Sequence, residues 1–243
     1  MSHIEFVGPP GAGKSTIYGA VIDNPKFFGA LQEDAVKRWM LRKARKRYRI
    51  LYRMTPGFLR SLLVDSVIEY RLRRAVFDDF VRSYPNFPHV LSLILNEARY
   101  QPETLHQLVK RCAETYQIGV ETVEDDETLF IDEGFSQSAV SILWRFDDRQ
   151  FPLSDYFQRT PTPRLLIYVD APVDTCIQRQ QKRGNVPASK EWVSEDIQTV
   201  QYDLDNICQQ VVTAAEKHTQ VLTINNTGGI DTAVDRIRSA LSN

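Results

Sequence analysis

The chain opens on a short run, Ile4-Glu5-Phe6-Val7, that stops at Gly8-Pro9-Pro10. A run of this kind, bounded by turn residues, predicts a strand, and the spacing beyond it predicts a helix from Lys14 to about Asp23, closed by Asn24-Pro25. From Lys26 to Gln117 the pattern changes to apolar positions at helical spacing among many Arg, Leu and Tyr. Several helices are predicted there. They break near Thr55-Pro56-Gly57, Tyr84-Pro85 and Gln101-Pro102, because proline removes a donor and clashes inside a helix. Strand character returns at Thr128–Asp132, Arg164–Asp170 and Gln220–Ile224, each a continuous apolar run of the kind found in parallel strands buried on both faces. Pro172 and Gly184 bracket one intervening helix, and Val193, Ile197, Val200, Leu204, Ile207 and Val211 stripe the next. The last helix is expected from Ile230 to Leu241. The alternation predicts one α/β domain over residues 1–243, with a doubly wound, mainly parallel sheet and a large helical insertion over 26–127. Inside that insertion only Gln32-Glu33-Asp34-Ala35-Val36 offers a weak second strand.

Composition narrows the classes without choosing among them. The 243 residues are 42% hydrophobic and 25% charged, which excludes a disordered chain, a collagen-like fibre and a disulfide mini-protein. Thirty basic residues face thirty-one acidic ones, so attraction to a polyanion would require local clustering. Cys112, Cys176 and Cys208 lie far apart, and His3, His89, His106 and His218 show no metal-like spacing, so neither a zinc site nor a disulfide framework is expected. The longest apolar run, Val90 to Leu95, is broken by Ser92 and falls well short of the roughly 20 residues of a membrane span. No basic region followed by an apolar stretch marks the first residues, and a reducing cytoplasm is the expectation.

Gly8-Pro9-Pro10-Gly11-Ala12-Gly13-Lys14-Ser15 carries the chemistry. It matches G-x-x-x-x-G-K-[ST] at every position, between a predicted strand and a predicted helix. Glycines let backbone N–H groups turn inward around phosphate oxygens, and the helix N-terminus adds its positive end. Lys14 is placed to reach the β- and γ-phosphates and Ser15 to ligate Mg²⁺. The nucleotide-binding candidates here are Gly8, Pro9, Pro10, Gly11, Ala12, Gly13, Lys14, Ser15 and Thr16. Leu129-Phe130-Ile131-Asp132-Glu133-Gly134 then delivers two carboxylates to a strand's C-terminal end, where open α/β sheets bind ligands. Asp132 joins Ser15 as a metal candidate. Both Asp132 and Glu133 are catalytic candidates, and either acid could be the one that orients or deprotonates an acceptor hydroxyl.

No Asn-Lys-x-Asp occurs, which argues against a GTPase, and one short domain argues against a motor ATPase. The rest of the chain resembles the nucleoside- and nucleotide-kinase group of P-loop proteins. Phe6-Val7-Gly8-Pro9-Pro10-Gly11-Ala12-Gly13-Lys14-Ser15-Thr16 is similar to the opening of adenylate and thymidylate kinases. Tyr168-Val169-Asp170-Ala171-Pro172-Val173-Asp174, followed by Arg179-Gln180-Gln181-Lys182-Arg183-Gly184, resembles the strand, helix and lid entrance of thymidylate kinases. The resemblance implies that Arg179 and Arg183 grip phosphoryl oxygens, that residues 184–190 form a lid, and that Asn226, Thr227 and Gly228 border the adenine. It implies phosphoryl transfer from Mg²⁺-bound ATP, or another nucleoside triphosphate, to a hydroxyl of a sugar, nucleoside or nucleotide-like metabolite. One departure stands out. Relatives place an arginine after the acid where this chain has Glu133, which points away from a nucleoside monophosphate as acceptor. A nucleic-acid-directed kinase or ATPase, and a nucleotide-binding switch with a protein partner, remain the alternatives.

Between Lys37 and Arg53 stand Lys37, Arg38, Arg42, Lys43, Arg45, Lys46, Arg47, Arg49 and Arg53, with no acid among them. Trp39, Tyr48 and Tyr52 are interleaved. Such a segment suits a solvated amphipathic helix, a wall for an anionic acceptor, or a surface for nucleic acid or anionic lipid. The expected partners are a nucleotide and a small acceptor, without nucleic acid.

Overall fold

The computed structural model describes residues 3–23, 27–29, 33–43, 46–59, 69–146, 151–184, 196–227 and 229–241. Five strands, β1 (His3–Val7), β2 (Phe27–Gly29), β3 (Thr128–Ile131), β4 (Leu165–Asp170) and β5 (Gln220–Asn225), form one sheet in the order β2-β3-β1-β4-β5. Every pairing is parallel, with Glu5 opposite Ile131 and Val7 opposite Tyr168. The apolar runs of β1, β3 and β4 therefore became buried parallel strands, whereas β5, at the sheet edge with a neighbour on one side only, keeps just Ile224 buried and departs from that expectation. After β3 the chain passes from one side of β1 to the other. That places the switch point of the sheet at the C-terminal end of β1, where ligands bind in such folds.

The second strand differs from its expected place. It occupies Phe27–Gly29 at the sheet edge, while Glu33–Arg42 is helical (α2), so the stretch 26–127 is not helical throughout. Three residues are too few to show a period, and tertiary pairing with β3 decides their state.

Helix α1 (Lys14–Ile22) and helix α11 (Ile230–Leu241) cover one face of the sheet, packing on Ile4, Phe6, Phe130, Ile167 and Val169. The other face, with Val7, Ile131, Leu166 and Tyr168, lies under α5 (Phe87–Glu97), α6 (Pro102–Thr122), α7 (Phe135–Leu143), α8 (Leu153–Arg159) and α10 (Ile197–Ala215). Helix α9 (Val173–Lys182) follows β4 and packs on α10. Its expected sequel at Val193 falls outside the described residues, as does the proposed lid beyond Gly184. Phe6, Phe130, Phe135 and Tyr156 are fully buried, each contributing about 1.5–3 kcal/mol of apolar transfer.

Within residues 26–127, α3 (Lys46–Met54) and α4 (Glu69–Ser83) join α2, α5 and α6, and the breaks fall at the predicted prolines. Trp39, Met40, Tyr52 and Val76 make a small core of their own. Arg38 donates to both oxygens of Glu127 at 2.9 and 2.6 Å, Arg42 to Glu124 at 2.7 Å, and the Trp39 indole to Glu121 at 2.6 Å. The acidic turn before β3 is thus the counter-charge of α2. Among the described residues no helix is long and apolar enough to cross a membrane.

Candidate active site

The loop from Gly8 to Gly13 leaves the central strand and turns into α1. Its backbone carbonyls are satisfied from several directions. Lys14 Nζ donates to the Gly8 and Pro9 carbonyls at 2.6 and 3.2 Å. Gln180 of α9 and Gln201 of α10 both donate to the Pro10 carbonyl, at 3.1 and 3.0 Å, and Gln180 also donates to the Gln201 side-chain oxygen at 2.8 Å. Arg179 donates to the carbonyls of Gly11, Ala12 and Asn226 at 3.4, 3.1 and 3.2 Å, and the Asn226 amide donates to Ala12 at 2.6 Å. Gly11 sits at φ 84°, and a side chain there would run into the Cys176 backbone. With its carbonyls engaged this way, the loop leaves the N–H groups of Gly11 and Gly13, and those of Lys14 and Ser15 at the start of α1, without an acceptor among the described residues and so available to a phosphate.

Arg179, expected over the phosphates, braces the loop through its carbonyls, and Asn226, expected beside an adenine, does the same. Arg183 caps α9 with an exposed side chain at the edge of the described residues. Thr227 is exposed, its N–H bonded to the Asn225 side chain at 3.2 Å, and Gly228 lies outside the described residues. Gln180 and Gln201 carried no signal in the sequence beyond being polar in helices.

Beyond the end of β3, Asp132 is partly buried, with the Ser15 hydroxyl placed to favour its charged form. Its Oδ1 is buried without a partner among the described residues. Burial raises the Asp132 pKa, against the opposing effects of Ser15 and Lys14. Burial likewise lowers that of Lys14, opposed by the charges of Asp132 and Glu133. These residues therefore share one electrostatic site. Glu133, next in sequence, is exposed. Among the described residues no three His, Cys, Asp or Glu cluster as a metal cage. Mg²⁺ takes one or two carboxylates and completes its shell with water and phosphate. An orphaned carboxylate oxygen beside a serine hydroxyl at a phosphate loop fits such an ion.

What aims these acids is a residue the sequence reading passed over. Glu5 is fully buried in the middle of β1, and its carboxylate accepts the N–H groups of Phe135 and Ser136 at 3.0 and 2.8 Å. It thereby caps α7, whose N-terminus carries the positive end of the helix dipole. His3 adds a third bond at 2.9 Å. Burial pushes the Glu5 pKa up, but His3 and the Ser136 N–H outweigh it and hold it below the usual value. A side chain at Gly134 would collide with this carboxylate, so the Asp132-Glu133-Gly134 turn needs its glycine. From the same helix Gln137 accepts the Gly8 N–H at 3.2 Å. One acid in the signal-poor first strand ties the carboxylate turn to the phosphate loop.

No family model and no curated protein matches the sequence. Solved structures do match along almost the whole chain. The chain is similar to deoxyadenosine kinase from M. mycoides with bound dCTP, at 13% identity over 99% of this chain and 98% of that one, with a TM-score of 0.51. For the same kinase with products dCMP and a flexible dCDP the values are 14%, 99%, 98% and 0.52, and with bound dATP 12%, 99%, 100% and 0.53. Identity this low speaks to architecture alone, and the architecture is the P-loop α/β fold of those nucleoside kinases, from the first strand to the last helix.

Proposed function

We propose that this protein is a P-loop phosphotransferase that moves the terminal phosphoryl group of Mg²⁺-bound ATP, or another nucleoside triphosphate, to a hydroxyl of a small nucleoside-like molecule. The observation that carries the reading is the meeting of a fully braced phosphate loop with Asp132 and Glu133 at one electrostatic site. The likeness in fold to deoxyadenosine kinases supports a nucleoside above a sugar.

In this reading the loop N–H groups and the N-terminus of α1 hold the phosphates, and Lys14 exchanges its loop carbonyls for β- and γ-phosphate oxygens. Ser15 and Asp132 hold the magnesium ion, which when bound neutralises phosphate charge and orients the terminal group. Glu133, solvent-facing at the strand end, takes the proton of the acceptor hydroxyl. An acid in that place, where the related kinases carry arginine, suits a neutral acceptor better than a phosphorylated one, since like charges repel. Arg179 shapes the loop, and Arg183 is the arginine left to reach the phosphates from the lid side.

A panel of acceptors tests this. Nucleosides, sugars and nucleoside monophosphates are each incubated with protein, ATP and Mg²⁺, and ADP release is followed. Stimulation by a nucleoside is the expected result. Stimulation by an oligonucleotide alone, or tight ATP binding with no acceptor-dependent turnover, would replace the proposal with one of its alternatives.

A further inference from the structure

From Ala35 to Val64 the sequence contains no acidic residue. The structure divides this basic stretch in two. On α2, Arg38 and Arg42 are paired with Glu127 and Glu124, so that half is neutralised within the fold. On α3 no such pairing is formed by Lys46, Arg49 or Arg53 among the described residues. Lys46 and Arg53 are exposed and Arg49 is half-buried.

The distribution of apolar side chains on α3 is equally uneven. Tyr52 is buried and Tyr48 half-buried toward Trp39 and Met40, which fixes the inward face of the helix. Ile50, two residues from each tyrosine, lies diametrically opposite at about 100° per residue. It is 48% exposed, and Met54, one turn on, is 78% exposed. Leu51 beside them is 41% exposed. The outer row of α3 therefore runs Lys46, Ile50, Met54, with Arg53 and Arg49 along one side of it and Leu51 along the other. A nucleic-acid surface would put the charges at the centre and aromatic rings beside them. Here both tyrosines face inward. An aliphatic edge of Ile50, Leu51 and Met54 beside a basic edge instead matches an interfacial helix, whose aliphatic side chains enter the acyl boundary while lysine and arginine reach anionic headgroups.

We infer that the outer face of α3 docks this protein on an anionic lipid surface. The charge complementarity is local, since the whole chain carries a net charge of -1. Each basic residue near such a surface strengthens binding by about five-fold, and the attraction fades with salt.

Vesicle flotation decides the matter. Wild-type protein is mixed with vesicles of phosphatidylcholine alone, or with roughly a third phosphatidylglycerol, at low and high salt. Two variants are compared, Ile50→Ser with Met54→Ser, and Lys46→Glu with Arg49→Glu and Arg53→Glu. Four of the five positions are exposed and Arg49 is half-buried on α3, which packs on α2 and contributes no residue to the phosphate loop or the acid turn, so circular dichroism and ADP release without vesicles should match wild type. Binding only to the phosphatidylglycerol vesicles, weakened by more than about ten-fold in both variants, is the expected result. Absence of phosphatidylglycerol-dependent binding at low salt overturns the inference, as does binding that neither variant changes. So does tight oligonucleotide binding with no vesicle binding, or a self-association that Met54→Ser abolishes in their place.

Discussion

Glu5 reaches out of the central strand to accept the Ser136 N–H at 2.8 Å, so that a buried carboxylate holds the start of the helix following the two site acids. The neighbouring bonds from Phe135 and His3 make Glu5 a fully engaged buried anion. Removing one partner of such a group is far costlier than never having built it.

Glu5→Gln keeps the shape and removes the charge, and should lower stability by about 3 kcal/mol at neutral pH. The sign of its pH dependence follows from the lowered pKa. A carboxylate held below its unfolded value contributes stability above that value and loses it as pH falls through the folded one. The gap between wild type and variant in chemical denaturation should therefore be full at neutral pH and close as the pH drops below the ordinary glutamate range. A gap that stays constant into acid would contradict the assignment of Glu5 as an ionised cap.

Asp132→Asn and Glu133→Gln should separate metal binding from proton transfer. The Asp132 variant is expected to need at least about ten-fold more Mg²⁺ for half-maximal rate. The Glu133 variant should lose roughly 10²–10⁴-fold in rate at every Mg²⁺ level. Because burial raises the pKa of the metal-free Asp132 carboxyl, protons should compete with Mg²⁺ there, so the Mg²⁺ needed for half-maximal wild-type rate should climb as pH falls toward the carboxylate range. Steady-state rates over a grid of Mg²⁺ and pH read all three.

Arg179→Ala and Arg183→Ala should part company. Arg179 serves three carbonyls, and leaving them unserved costs about 1–3 kcal/mol. Its loss should lower the melting temperature and weaken nucleotide binding together. Arg183 is exposed, so its alanine variant should melt like wild type and lose rate alone. Differential scanning fluorimetry with and without ATP distinguishes them, and equal melting of both variants would remove Arg179 as a brace.

The parallel strands, the helix breaks and the phosphate loop were legible because each is a local pattern: apolar runs, prolines and a spaced glycine motif. Asp132 and Glu133 were legible because they end an apolar strand. Glu5 was not. Its run looked apolar overall, and nothing local says that the N-terminus of α7 will lie above it. A signal did exist: an acid inside a central parallel strand must find partners, and His3 two residues earlier shares its face. Gln180 and Gln201 meet Pro10 only after α9 and α10 pack, so no spacing in either helix could announce them. The four-residue spacing of Arg179 and Arg183 was readable, but the direction in which Arg179 points depends on the loop it braces. The basic segment likewise hid its partners, since Glu124 and Glu127 lie more than eighty positions away.

The most direct measurement follows the terminal phosphoryl group itself. ATP labelled on its γ-phosphate is incubated with Mg²⁺, a nucleoside mixture and either wild-type protein or the Lys14→Ala variant, and the products are separated. Lys14 bridges the Gly8 and Pro9 carbonyls of the loop, so a parallel melting curve establishes that the variant is folded. Label appearing on a nucleoside with the wild type, and not with the folded variant, is the predicted result. Label that stays on ATP, passes to water alone, or transfers equally well without Lys14 would contradict the assignment of this loop as the centre of a phosphotransferase.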